Sequence, residues 1–328
     1  MKVIAYAVRP DEIASFEEYS KIYNHNVTLI KESFGPHNAH LAEGFYGVSI
    51  LGNCKANKEG IEAIAKLGVK YLASRSAGVN NIDLETAKKY DIKVSNVPAY
   101  SPNAVSEFAV GITLCVLRNI QQAIRRVDVQ NFGLSGLMGS ELRNKTIGFI
   151  GTGRIGLATI KAFSGFSGKL IGYDLYENEE AKKYIEYKNL DELFAKSDII
   201  SLHCPLTPEN YHLINKESIA KMKDGVIIVN TARGGLMNAE DLIGGLESGK
   251  IGGLATDVYE NEVGIFHSDH RNSILEDDVL VRLLKFPNVL FTPHYAFYTD
   301  EAVDNMVEYS LESLSEFEKT GKSKNEVK

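Results

Sequence analysis

Short apolar runs separated by polar stretches of helical spacing recur along most of the chain. That alternation predicts a parallel sheet carrying helices on both faces. Residues 2–8, 27–30, 47–51, 71–74 and 93–97 read as short strands, with helices over 10–23, 56–67 and 83–90 between some of them. Residues 1–99 are therefore expected to form a smaller α/β domain. Ser101 suits a helix N-cap and Pro102 the first helical position, so a long helix should start there. Its apolar face, Val105, Phe108, Ala109, Ile112, Cys115 and Val116, continues to Ile120 and must be buried against the sheet or a second subunit. Further strands are expected at 146–150, 170–173, 199–202, 226–229, 253–256 and 289–291. Val303, Met306, Val307, Leu311, Leu314 and Phe317 form one face of a last helix, and 321–328 is polar and reads as frayed.

The strand expected at 146–150 runs directly into Gly151-Thr152-Gly153-Arg154-Ile155-Gly156. Gly151 permits a tight turn, Gly153 lets a pyrophosphate approach the backbone, and Gly156 lets the next helix pack close. The unpaired N–H groups at that helix's start favour an anion. Asp174 closes the next strand 21 residues beyond Gly153, the spacing at which a carboxylate meets an adenosine ribose. It is followed by Leu175 and Tyr176 rather than Arg, which predicts NAD(H) over NADP(H).

Composition narrows the class. The chain has 328 residues, room for two domains, and 36 Lys and Arg against 43 Asp and Glu give a net charge of −7, which disfavours a nucleic-acid surface. Asp11 and Glu12 interrupt any signal-like start, and the longest apolar run, 108–117, is too short to span a membrane. Cys54, Cys115 and Cys204 are few and widely spaced, as expected of reduced thiols in a cytoplasmic protein. His267-Ser268-Asp269-His270 offers too few ligands at suitable spacing, so no metal is expected.

Candidate chemistry gathers where the later strands should end: His203-Cys204-Pro205, Asn230-Thr231-Ala232-Arg233, Asp257 with Glu262 beyond it, and Pro293-His294. Open α/β sheets bind ligands at the carboxyl ends of their strands, so these groups should converge beside the glycine turn. Arg233 could bind a substrate carboxylate with paired donors or simply hold its loop by an ion pair. His294 could exchange a proton near neutral pH, with Glu262 as its orienting partner. Asp257 could bond a nicotinamide or cap a turn. Earlier in the chain, the small residues of the 74–83 loop leave backbone N–H groups able to hold a small carboxylate, although a plain surface turn fits equally.

These motifs, GTGRIG with Asp174, NTARGG at 230–235, DVYENE at 257–262 and TPH at 292–294, resemble the D-isomer-specific 2-hydroxyacid dehydrogenase family over nearly the full chain. VPAYSPNAV at 97–105, EVGIF at 262–266 and HYAFYT at 294–299 are most similar to its D-lactate dehydrogenases, including the glycopeptide-resistance type. The resemblance implies a doubly wound parallel-sheet (Rossmann) NAD-binding domain over 100–297. It implies a smaller flavodoxin-like α/β substrate domain over 1–99 and 298–328, and a homodimer through the nucleotide domains. It implies NADH-dependent reduction of pyruvate to D-lactate, with Arg233 binding the 2-oxo acid, His294 donating the proton and Glu262 keeping His294 protonated. Gly151, Gly153, Arg154, Ile155, Gly156, Asp174, Cys204, Pro205, Asn210, Thr231, Ala232, Arg233 and Asp257 match cofactor positions. Ala77 and Gly78 match a carboxylate-holding turn, and Tyr100, Phe297 and Tyr298 an aromatic pocket lining. Cys204 stands where valine is common and Gly235 where proline is common, the latter a change that could loosen the Arg233 loop. Two other readings stay open: the same mechanism on larger 2-oxo acids such as 2-oxoisocaproate, and a non-catalytic NAD(H)-sensing regulator.

Overall fold

The computed structural model describes residues 1–327, which divide into two compact units, 1–101 with 298–327 and Pro102–Phe297.

The first unit is built on a parallel sheet in the order β2-β1-β3-β4-β5, from β1 (Lys2–Ala5), β2 (Asn26–Leu29), β3 (Gly47–Ile50), β4 (Tyr71–Ser74) and β5 (Lys93–Ser95). That order is the flavodoxin-like one. Helices α1 (Ile13–Ile22), α2 (Lys58–Lys66) and α3 (Leu84–Lys89) make the crossovers. The starts of α2 and α3 follow from sequence chemistry: Asn57 and Asp83 accept hydrogen bonds from the N–H groups of Gly60 and Thr86. β1 stops earlier than its apolar run because Ala7 turns to φ 55°, a left-handed conformation that strands do not carry.

The second unit opens with α4 (Pro102–Leu117) and α5 (Ile120–Asp128). Seven parallel strands come next in the chain, in the spatial order β12-β11-β10-β9-β6-β7-β8: β6 (Thr146–Ile150), β7 (Lys169–Tyr173), β8 (Glu186–Tyr187), β9 (Ile199–Leu202), β10 (Val226–Asn230), β11 (Ile251–Thr256) and β12 (Val289–Phe291). Helices α6 (Arg154–Ser164), α7 (Leu190–Lys196), α8 (Lys216–Lys221), α9 (Ala239–Glu247) and α10 (Asp278–Lys285) alternate with them. This is the doubly wound arrangement, with the order reversing between β6 and β9. The central strands are buried on both faces, as parallel strands flanked by helices must be: all of β9 is buried, as are four of five residues in β6. α11 (Asp300–Thr320) belongs to the first unit, where Val307, Leu311 and Leu314 join a core with Val3, Ala5, Phe16 and Ala73.

Two expectations change. The apolar helix after Ser101 does not run through Ile120, because Asn119 adopts φ 53° and the chain restarts as α5. α4 also finds its burial inside its own unit, Ala109, Ile112 and Leu117 packing with Ile147, Phe149 and Ile160, so a second subunit is not needed to account for it. Nor is the tail from Gly321 frayed. Gly321 caps α11 at φ 69°, and the chain then pairs with β5: Val327 donates to the carbonyl of Val94, and Asn96 to that of Asn325. An otherwise open sheet edge thereby gains partners. Lys328 lies outside the described residues.

Candidate active site

In the second unit all strands run parallel, so the turns after β6, β9, β10, β11 and β12 open on one edge of the sheet. The glycine turn comes directly after β6. Gly151 sits at φ 95° against the loop after β9, and a side chain there would come within 2.6 Å of the backbone nitrogen of Cys204. A Cβ on Gly156 would collide with the carbonyl of Gly151, so glycine is needed for α6 to begin where it does. Gly153, by contrast, faces open space at the N-cap of α6, with Arg154 and Ile155 opening the helix. Asp174, just past β7, is fastened to this turn: it accepts hydrogen bonds from the Thr152 N–H at 2.6 Å, the Thr152 hydroxyl at 3.1 Å and the Tyr176 N–H at 3.1 Å. Three accepted bonds leave about one of the carboxylate's four lone-pair sites open, enough for one ribose hydroxyl.

After β9, the side chain of Asn210 donates to the carbonyl of Pro205 and lies 4.0 Å from the Cys204 sulfur. Burial pushes the Cys204 thiol up to about 11, so it acts as an apolar filler rather than a nucleophile. His203, beside it, stacks on Phe149 and meets the Ser201 hydroxyl at 2.8 Å. Burial holds its imidazole down to about 3, which keeps it neutral under the glycine turn.

After β10, Asn230 organises the loop, donating to the carbonyl of Arg233 at 2.9 Å and accepting from the Ala232 N–H at 2.9 Å. The Thr231 hydroxyl is buried with no protein partner among the described residues. After β12, His294 stands at φ 54°, an uncommon backbone state of the kind that gathers at functional sites. Its Nδ1 meets Glu262 Oε1 at 2.8 Å, with both side chains about a quarter to a third exposed. Burial alone would raise the Glu262 carboxyl; the hydrogen bond and charge of His294, helped by the charge of Arg233, hold it below its ordinary value.

Asp257, expected at the cofactor or as a cap, is wholly buried, with its oxygens occupied by the Thr292 hydroxyl and the N–H groups of Tyr295 and Ala296. It ties the end of β11 to the loop that bears His294. Its carboxyl is raised by burial, against the pull of those bonds. The His267–His270 segment is engaged elsewhere: His267 meets the carbonyl of His294, His270 that of Ile265, and Asp269 pairs with Arg271.

In the first unit, the turn bearing Ala77 and Gly78 is pinned rather than loose. Asn96 donates to the Ala77 carbonyl at 2.6 Å and Ser76 to that of Gly78 at 2.8 Å. Arg75, fully buried at its base, pairs with the equally buried Glu12 at 3.0 Å and donates to Ser49 and the Tyr6 carbonyl. The Tyr100 carbonyl accepts from Asn305, and the Tyr298 ring lies 5.1 Å from the Arg9 guanidinium. Phe297 is the last residue of the second unit. The roles of Asn230 in its loop and of Asp257 as an anchor carry no local sequence signal, because their partners are set by the fold.

Glycine turn, acid at the neighbouring strand end and orphaned Thr231 hydroxyl together suit a dinucleotide, and the class is that of NAD-binding dehydrogenases. Residues 110–296 match the model for the NAD-binding domain of D-isomer-specific 2-hydroxyacid dehydrogenases. The chain is 60% identical to the aromatic 2-oxoacid reductase of Clostridium sporogenes over 99% of both chains, and 43% identical to the D-lactate dehydrogenase of Lactiplantibacillus plantarum over 100% of this chain and 99% of that one. Its structure matches that of a D-2-hydroxyisocaproate dehydrogenase with a TM-score of 0.92 at 37% identity, covering 100% of this chain and 99% of the other. The chain belongs to the D-isomer-specific 2-hydroxyacid dehydrogenase family, and its cofactor is NAD.

Proposed function

We propose that this D-2-hydroxyacid dehydrogenase reduces 2-oxo acids with NADH and prefers those bearing an aromatic side chain. The observation carrying the chemistry is the 2.8 Å pair of His294 and Glu262 on the sheet edge that also bears Arg233 and the glycine turn. NADH, when bound, supplies the hydride that reaches the keto carbon. Gly151, Gly153, Arg154, Ile155 and Gly156 would cradle its pyrophosphate and Asp174 its ribose, with Cys204, Pro205, Asn210, Thr231 and Ala232 as further cofactor contacts, while Asp257, buried, would act only by anchoring the His294 loop. Arg233 binds the 2-oxo acid by paired donors and offsets charge developing on the carbonyl oxygen. His294 gives that oxygen its proton, and the Glu262 carboxylate stabilises the imidazolium before transfer. The family resemblance would add Ala77, Gly78, Tyr100, Phe297 and Tyr298 as substrate-binding residues. The working form is a homodimer in the cytoplasm, a reducing compartment that suits three unpaired cysteines.

Aromatic preference rests on full-length similarity at 60%, against 43% for the D-lactate dehydrogenase. The second reading, reduction of pyruvate to D-lactate, draws on the latter and on the segments 97–105 and 294–299. An NADH-oxidation panel of pyruvate, 2-oxoisocaproate and phenylpyruvate, with product chirality determined, separates them. The highest kcat/KM is expected with phenylpyruvate and a D-product. A maximum at pyruvate would restore the D-lactate reading, and no oxidation with any 2-oxo acid would point to an NAD(H) sensor.

A further inference from the structure

The turn that carries Arg233 is held from the side by a segment with no assigned role. Residues 212–214 lie alongside it: the His212 N–H donates to the Gly235 carbonyl, that of Ile214 to Leu236, and that of Asn238 back to Ile214, each at 2.9 Å. His212 itself sits at φ 54°. Its Nε2 meets Glu260 Oε2 at 2.7 Å, and its Nδ1 faces the Asn238 amide nitrogen at 3.1 Å. The Asn238 oxygen is taken by the Asp241 N–H, which fixes that amide's orientation, so the ring accepts at Nδ1 and donates at Nε2. The other oxygen of Glu260 accepts from the Ala239 N–H at 3.0 Å, so one carboxylate ties the segment to the start of α9 from a position two residues before Glu262.

Gly235 adds a second observation. It has no side chain to stiffen the turn, yet the volume one would fill is occupied from outside. A Cβ there would lie 2.9 Å from the Leu206 methyl and 3.4 Å from the Tyr211 ring. Tyr211 in turn stacks on His212, with ring centroids 3.8 Å apart. Tyr211 is itself more exposed than buried, so its ring is not there to complete a core.

We propose that Tyr211 and His212 are positioning residues for Arg233 and, through Glu260, for the loop bearing Glu262, with Leu206 and Tyr211 supplying the rigidity that Gly235 lacks. The inference rests on the reading of Arg233 as the group that binds the 2-oxo acid. A loosened turn misplaces a guanidinium that must meet its partner in two directions, and small displacements of this kind are costly in catalysis.

The test is steady-state kinetics with phenylpyruvate and pyruvate, beside NADH titration by fluorescence, on L206A/Y211A and on His212→Phe, which keeps the stack and drops both ring-nitrogen bonds. In both, KM for the 2-oxo acid rises about tenfold while NADH affinity stays within roughly twofold. Adding Gly235→Pro to L206A/Y211A, where the emptied volume admits a ring, recovers most of the lost KM. Arg233→Lys is measured in parallel. If it raises KM while His212→Phe and L206A/Y211A do not, the brace is overturned; if Arg233→Lys also leaves KM unchanged, the underlying reading falls instead. A KM rise that Gly235→Pro fails to reverse overturns the role given to Leu206 and Tyr211. Should L206A/Y211A fail to fold, His212→Phe alone decides: an unchanged KM overturns the proposal.

Discussion

At the scale of single residues, the informative quantity is the charge state of the His294–Glu262 pair. Burial works against the Glu262 carboxylate, and the bond from His294 more than reverses it, so Glu262 is ionised throughout the neutral range. The Glu262 carboxylate lies 2.8 Å from Nδ1 of His294, where it fixes the ring's orientation and can stabilise positive charge on the proton donor that reduction of a ketone requires. Glu262→Gln keeps the shape and removes that charge. Turnover should therefore fall about tenfold or more in the variant, while the NADH dissociation constant stays put. Turnover equal to that of the parent would show that the Glu262 charge takes no part in the proton donation. The same linkage has a stability side: because the folded carboxyl is depressed, its contribution is present above the unfolded value and is lost as pH falls through the folded one.

Among the elements, the turn between β6 and α6 separates two roles that one motif combines. Gly156 is required by packing, since any Cβ meets the Gly151 carbonyl, whereas Gly153 faces open space. Gly156→Ala should lower stability by about 1–3 kcal/mol, as overpacking does, and weaken NADH binding with it. Gly153→Ala should leave the melting temperature unchanged and weaken NADH binding alone, because its methyl stands where the pyrophosphate approaches. Equal losses of Tm in the two would refute the distinction. This turn was legible in the sequence because glycine has few reasons to recur at such spacing between a buried run and an amphipathic one. Strand ends were legible for a similar reason, apolar runs stopping where Arg233, Asp257 and His294 begin. What could not be read was long-range pairing of single groups: His212 with Glu260, Asp257 with the Ala296 N–H, and Val327 with β5 are partners chosen by topology. The break at Asn119 was hidden because apolar residues continue at helical spacing on both sides of it.

For the molecule as a whole, uncovered apolar surface lies not on α4, which packs within its unit, but on α5 and the loop after it. α5 has no buried residue, and Ile124 and Val127 are 58% and 53% exposed. Beyond it Phe132, Leu134 and Met138 are 74%, 84% and 93% exposed. A run of large apolar side chains this long and this bare is unusual on a protein that works alone. The proposed homodimer gives it a partner of matching chemistry, a second copy presenting the same patch across a two-fold axis. Burying such side chains contributes about 25 cal/mol per Å² of apolar surface, so charges introduced among them should act strongly on association. Light scattering of the parent is expected to give twice the 36.2 kDa chain mass, and I124D/V127D to give the single-chain mass. NADH binding should survive in that variant, because neither residue belongs to the glycine turn or to the strand ends. A parent chain that runs at its single-chain mass, or an I124D/V127D variant that keeps the double mass, would remove the second copy from this surface.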